Sequence, residues 1–214
     1  MFPGLLGQLR RAIAMIPTLL LLSLTALVAP SMSYSCYGDI SALQAPTVSC
    51  TSVRAPECAR LAMVQRTAEA DMVRLRKYEI PIKRVARNLC LDPALIAAVI
   101  SQESRAGLLL DNGWDRDQQK YGLMQINRQQ YQRSGVWDSE DHINQGSTIL
   151  VLSINEVQAR HPTWTLDRQL RGGLCTYHAK TGNLQVYEED PCDRDDYYAN
   201  SVIRRAHYFK SHGF

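Results

Sequence analysis

The sequence predicts a mainly α-helical domain with a minor β element, and three observations carry that expectation. Apolar residues recur at helical spacing through several separate stretches after about residue 60. One of these, residues 91–107, also bears start and stop signals at its two ends. Between Leu110 and Gln130 the period is lost, and Gly113 and Gly122 interrupt short apolar pieces, the pattern of a loop with a small β-hairpin.

Taken in order, the chain opens with Arg10 and Arg11 ahead of a run from Ile13 to Val28, apolar apart from Pro17, Thr18, Ser23 and Thr25. Ser31-Met32-Ser33 then offers small residues at the −3 and −1 positions of a cleavage site. Residues 1–33 are therefore read as a secretory signal peptide and 34–214 as the domain it releases. The run is short of the roughly 20 residues a membrane span needs and contains a proline, which favours cleavage over anchoring. No second apolar run of that length follows, so the expectation is a secreted, extracellular monomer with no membrane association after cleavage.

Cleavage leaves about 180 residues, enough for one domain with a substantial core. The formal charge of +3 loses Arg10 and Arg11 with the leader. A balance of about +1 is not the strongly basic footprint of a nucleic-acid binder. It is compatible with anionic cell-wall polymers without arguing for them. All six cysteines, Cys36, Cys50, Cys58, Cys90, Cys175 and Cys192, follow the leader. An even count behind a signal peptide implies an oxidised framework, though six cysteines allow fifteen pairings. No C-x-x-C spacing occurs, so neither a metal nor a cofactor is expected.

Between Cys36 and Cys58 the chain is rich in Ser, Thr, Ala and Pro and shows no period, so an irregular arm is expected. From Arg60 the pattern turns helical. Ala68, Met72 and Leu75 share one face, and Ile80, Ile82, Val85, Ala86 and Leu89 form the face of a second helix that Pro81 opens. The next helix has Asp92 as N-cap acceptor, Pro93 at the first position, Leu91 and Ile96 spaced as a hydrophobic staple, and Gly107 as the left-handed stop. After the hairpin, Gly146, Ile149, Leu150, Ile154 and Val157 make a buried stripe that His161-Pro162 ends. Leu166 to Leu170 opens another helix, whose Gly172-Gly173 pair permits close packing of a neighbour. A final helix from about Asp196 to Lys210 turns Val202, Ala206 and Phe209 inward, with Gly213 as terminator.

Within the helix opened by Asp92, Ile96, Val99, Ile100 and Glu103 fall at i, i+3, i+4 and i+7, so Glu103 shares the apolar face. Apolar surroundings favour the protonated form of a carboxyl, the form wanted in an acid that protonates a leaving group near neutral pH.

The motifs around Glu103 fall in a distinctive order. Glu103-Ser104-Arg105-Ala106-Gly107 is followed by Asn112-Gly113-Trp114 and then by Tyr121-Gly122-Leu123-Met124-Gln125-Ile126. Cys36-Tyr37-Gly38-Asp39-Ile40 precedes them. Trp137-Asp138-Ser139, His142-Ile143-Asn144-Gln145-Gly146, Gly172 to Tyr177, Tyr198-Ala199-Asn200 and His212-Gly213-Phe214 come after. The series resembles the goose-type lysozyme family over essentially the whole chain after the leader. Its Glu-Ser and Gly-Leu-Met-Gln elements are also shared by lytic transglycosylases.

That resemblance implies a lysozyme-like helical domain with the hairpin beside an active-site cleft. It implies a secreted antibacterial glycosidase acting on bacterial peptidoglycan at the β-1,4 bond between N-acetylmuramic acid and N-acetylglucosamine. It makes Glu103 the acid, and it implies the pairings Cys36–Cys90 and Cys50–Cys58. Cys175 and Cys192 have no counterpart in the goose egg-white type and remain to pair with each other. The family is inverting, with two aspartates on the side of the attacking water. Here the chain departs from the pattern: the first aspartate's position holds Arg116, flanked by Asp115 and Asp117, and the second holds Asn127. An Asn amide positions water but cannot take its proton. Full activity, a weak or lapsed glycan-binding relative, and a single-Glu route in which the substrate assists all remain open readings.

For sugar binding the resemblance implies Gln125, Tyr131, Ile149, Tyr177 and His178. The family's Tyr-Asn-Ala-Gly element stands here as Tyr177-His178-Ala179-Lys180. Trp114, Trp137 and Trp164 are read either as sugar-stacking rings or as partly buried structural residues.

Overall fold

The computed structural model describes residues 35–45, 56–181, 190, 192 and 196–214. The leader expected over 1–33, Cys50, and most of the irregular arm lie outside them. The described elements in order are α1 (Pro56–Leu75), a 3-10 turn (Arg76–Tyr78), α2 (Glu79–Leu89), α3 (Pro93–Ser104), β1 (Lys120–Tyr121), β2 (Ile126–Asn127), α4 (Glu140–Arg160), α5 (Leu166–Thr181) and α6 (Asp196–Ser211). The fold is mainly α with a two-stranded antiparallel sheet, as the periodicity predicts. No described helix is long and apolar enough to cross a membrane.

At the centre lies α3. The Asp92 side chain accepts from the Ala94 amide at 2.9 Å and Pro93 takes the first position, so the start follows local chemistry. Every residue from Ala94 to Ser101 is buried. The sequence reading gives this helix one apolar stripe, whereas α1, α2 and α6 enclose it on several sides, as suits a helix apolar nearly all round. Its end also differs. The left-handed cap is Arg105 at φ 56°, followed by Ala106 at φ 53°, and Gly107 comes two residues after the cap. A tertiary contact explains the early stop: Arg105 Nε grips both carboxylate oxygens of buried Asp71, at 3.0 and 2.9 Å. Arg74 Nε donates to the Arg105 carbonyl at 3.1 Å, satisfying a group at the helix end.

Helix α1 begins one turn before the expected Arg60 and turns Ala68, Met72 and Leu75 inward. In α2, Ile82, Val85 and Ala86 are buried, but Ile80 is 71% exposed. Ile80 precedes Ile82 by two residues, about 200° around the axis, so the two cannot share a face. Helix α4 starts at the Ser139 cap and buries the whole expected stripe from Gly146 to Val157. Helix α5 crosses it closely at Gly173, where a Cβ would stand 2.8 Å from the Ile154 Cα. Val202, Ala206 and Phe209 of α6 are fully buried.

The disulfides Cys36–Cys90 and Cys175–Cys192 are formed. Cys58 is also oxidised, while its expected partner Cys50 lies outside the described residues. The hairpin pairs Lys120 with Asn127 and Tyr121 with Ile126. The three tryptophans all have protein neighbours. Trp137 presses on Gly113 and Gly107, Trp114 packs against Tyr121 at 4.8 Å, and Trp164 stacks between His161 and Arg168.

Candidate active site

Glu103 sits in the last turn of α3 with its side chain only 6% exposed. Tyr198 of α6 donates its hydroxyl to Glu103 Oε1 at 2.6 Å. His178 of α5 brings Nδ1 to 3.8 Å from the same oxygen, and its ring lies flat on the Tyr198 ring, 4.0 Å between centroids and 19° between planes. Three helices, distant in sequence, therefore converge on one carboxyl.

The turn between the strands is the second part of the site. Gly122 takes φ +79°, and a Cβ there would fall 2.2 Å from the His142 ring, so only glycine fits. Each main-chain group that follows is held by a different element. Ser104 Oγ of α3 donates to the Leu123 carbonyl at 2.8 Å, and His142 Nε2 of α4 accepts the Met124 amide at 3.2 Å. Tyr177 of α5 donates its hydroxyl to the Met124 carbonyl at 2.6 Å. Burial pushes the Tyr177 hydroxyl well above the usual phenol range, reinforced by the nearby Glu103 charge and by Tyr131, so it remains a donor. Burial pushes the His142 imidazole down to about 4, so it remains a neutral acceptor.

Beneath the end of α3 runs a buried polar network. Asp71 of α1 accepts from Ser101 Oγ at 2.6 Å and pairs with Arg105 and Arg74. Arg205 of α6 donates to Ser101 Oγ at 2.8 Å and to Gln102 Oε1 at 3.0 Å, and Ser201 donates to the same Gln102 oxygen at 2.6 Å. The network fixes the backbone that carries Glu103 against both flanking helices.

The residues expected to act on the attacking water are engaged locally or exposed. Asp115 Oδ1 accepts the amides of Gln119 and Lys120 at 2.8 and 2.9 Å, so it caps its own loop. Asp117 and Arg116 are exposed. Asn127 is buried, with Oδ1 taken by the Gln129 amide at 2.8 Å and Nδ2 without a partner among the described residues. Gln125 is buried and donates to the Gly122 carbonyl at 2.8 Å.

A family model described as Lysozyme g matches residues 37–213. The chain belongs to the lysozyme g family. It is 41% identical to "Lysozyme g" of Struthio camelus over 92% of this chain and 98% of that protein. It is 40% identical to "Lysozyme g" of Gallus gallus over 92% and 95%, and 36% identical to "Lysozyme g-like protein 2" of Homo sapiens over 86% and 85%. A lysozyme-type glycoside hydrolase fold is thereby shown.

Of the residues the lysozyme g resemblance implies, the structure brings together Glu103, Tyr177 and His178, with Tyr131 half-buried nearby. Tyr177 and Ile149 are buried in the core. Their positions are interior because α4 and α5 pack against each other there. Asp115 and Asp117 have no hydrogen bond or ion pair to Glu103 among the described residues. The sequence reading missed Tyr198 as a partner of the acid, although Tyr198-Ala199-Asn200 is one of the motifs that carry the resemblance. Asp71 gave no such signal.

Proposed function

We propose that the protein is a secreted lysozyme that hydrolyses the β-1,4 bond between N-acetylmuramic acid and N-acetylglucosamine in bacterial peptidoglycan, with Glu103 as general acid. The observation that carries this reading is the Glu103 carboxyl itself: enclosed at the end of a fixed helix, with Oε1 taken by Tyr198 and Oε2 without a hydrogen bond among the described residues. Protonated, Oε2 is the atom that meets the glycosidic oxygen. Proton transfer releases the leaving sugar as the anomeric carbon gains oxocarbenium character and takes a water. Tyr131 and His178 are the half-exposed side chains beside it for sugar contact.

The water's proton needs an acceptor. Asp115 retains one unengaged oxygen and Asp117 is exposed, so each is a base candidate, whereas the orphaned Asn127 amide orients water without taking its proton. The occupied Asp115 oxygen and the amide at 127 favour, as second reading, a weak enzyme or a single-Glu route in which the substrate's own acetamido or hydroxyl group assists.

Turbidity clearing of bacterial cell walls tests the proposal. Glu103→Gln keeps the side chain's shape and is expected to abolish clearing with an unchanged circular dichroism spectrum; clearing at the wild-type rate refutes the assignment. Asn127→Asp, Asp115→Ala and Asp117→Ala separate the base candidates, since general-base assistance typically supplies about 10²–10⁴ in rate. No effect from any of the three leaves the substrate-assisted route. A wild-type protein that binds insoluble walls without clearing them is the lapsed form. N-terminal sequencing of the released protein is expected to begin at Tyr34.

A further inference from the structure

The hairpin gathers two cations around one indole. Trp114 bridges to Tyr121 of β1 and packs on its ring, 4.8 Å between centroids. The Arg133 guanidinium lies 5.6 Å from the Trp114 ring and 5.1 Å from that of Tyr121, and the Arg128 guanidinium lies 5.9 Å from Trp114. These distances allow cation–π attraction, which brings two like charges to one ring.

Neither charge has a counter-ion among the described residues. Arg84, Arg105, Arg160 and Arg168 each pair with a carboxylate, whereas Arg128 donates once, to the Gln118 carbonyl at 3.3 Å, and Arg133 makes no hydrogen bond to a described residue. Both side chains are exposed. The rings restrain the guanidiniums while most of their N–H donors stay unengaged. A planar cation held in this way, with its fork of donors open, suits an oxyanion.

We propose that Arg128 and Arg133 form, around Trp114, a binding site for the phosphodiester groups of an anionic polymer of the bacterial wall. The inference rests on the reading of the protein as a wall-directed enzyme, and the site is one of attachment, with no part in the bond cleavage. Two guanidiniums sharing one ring call for two negative charges in succession, which a chain with a phosphodiester in every repeat presents. Exposed contacts of this kind are weak singly, so a ligand with charges in series gains most. The stem peptides of peptidoglycan fit less well, since they carry ammonium groups along with carboxylates. A nucleic acid needs a broadly basic face, which a net charge of +3 over 214 residues does not supply.

The acids near Trp114 place the anion on the arginine side. Asp111 and Asp115 line a hollow with Trp114 and Arg116, and neither Arg128 nor Arg133 borders it. Asp115 spends one oxygen on the Gln119 and Lys120 amides, and Asp111 accepts from Asn112. Their charge disfavours a phosphodiester within that hollow.

The test reads binding alone, so it does not depend on turnover. Insoluble walls that carry phosphodiester polymers are compared with the same walls stripped of those polymers by hydrofluoric acid. Cosedimentation is measured in the Glu103→Gln background, where no lysis is expected. Adding Arg128→Gln/Arg133→Gln is expected to weaken binding to the untreated walls roughly 10- to 30-fold at low ionic strength and to make its loss with added salt less steep. On stripped walls the variant and its parent are expected to bind alike, which also shows that the variant is folded. The control Arg66→Gln/Arg87→Gln removes the same charge from two exposed arginines on α1 and α2 and is expected to leave binding unchanged. Undiminished binding by Arg128→Gln/Arg133→Gln overturns the inference, and so does an equal loss in the control, the mark of net charge alone. An equal loss on stripped walls also overturns it and gives the two arginines to the stem carboxylates. If the wild-type protein clears no walls of either kind yet the phosphodiester-dependent loss appears, the hydrolase reading fails and the binding site stands.

Discussion

Lowering the pH from 7 to 5 should destabilise this fold through one buried side chain, His142. Its imidazole is enclosed, Nε2 accepts the Met124 amide, and burial pushes its titration from 6.5 down to about 4. In the unfolded chain the ring takes up a proton as the pH drops below its ordinary value; in the folded chain it stays neutral until about pH 4. Between those limits the unfolded state binds more protons, so stability is complete above the unfolded value and falls as the pH falls. At about 1.36 kcal/mol per unit, the loss is about 2 kcal/mol at pH 5 and levels off near 3 kcal/mol below pH 4. For a domain of this size that is a drop of about 4–8 °C in Tm at pH 5. Urea titrations at pH 7 and 5, at constant ionic strength, measure it directly, with His142→Gln as the control that keeps an acceptor for Met124 and cannot titrate. The wild-type protein should lose midpoint and the control should not. An equal loss in both refutes the reasoning and assigns the slope to other groups.

Two further outcomes follow from packing and charge. Asp71→Asn leaves Arg105 and Arg205 without their buried counter-charge and should lower unfolding free energy by about 3 kcal/mol or more in urea. Gly173→Ala sets a Cβ against the Ile154 backbone, 2.8 Å from its Cα, and should cost about 1–3 kcal/mol in thermal unfolding, a loss that Ile154→Val does not restore because the backbone itself is in the way.

What the sequence made legible were the features decided within a few residues. Asp92 and Pro93 announce the start of α3, because a cap is a contact between near neighbours. The burial of Glu103 follows from its phase on the helix. The stop at Arg105 is a different matter: Gly107 is the better local candidate, and the competing ion pair to Asp71 spans 34 residues. Tyr198 lies 95 residues from Glu103, and periodicity reports only that its helix has an inward face, not which side chain that face meets. Tyr177 shows the same limit, since the motif marked it as important while only the packed helices reveal that its hydroxyl holds the Met124 carbonyl.

The turn after β1 bears on which insertions and deletions this chain tolerates. Leu123 and Met124 present consecutive main-chain groups to Ser104, His142 and Tyr177, three side chains on three separate helices. Adding or deleting one residue there would rotate the carbonyls and the amide away from all three at once, so that length is fixed by its surroundings. The loop from Asp115 to Gln119 is closed chiefly on itself, through one aspartate oxygen and its own amides, and its tip faces solvent. Chain length is therefore free to vary in the loop that carries Asp115, Arg116 and Asp117. It is not free in the turn that carries Leu123 and Met124.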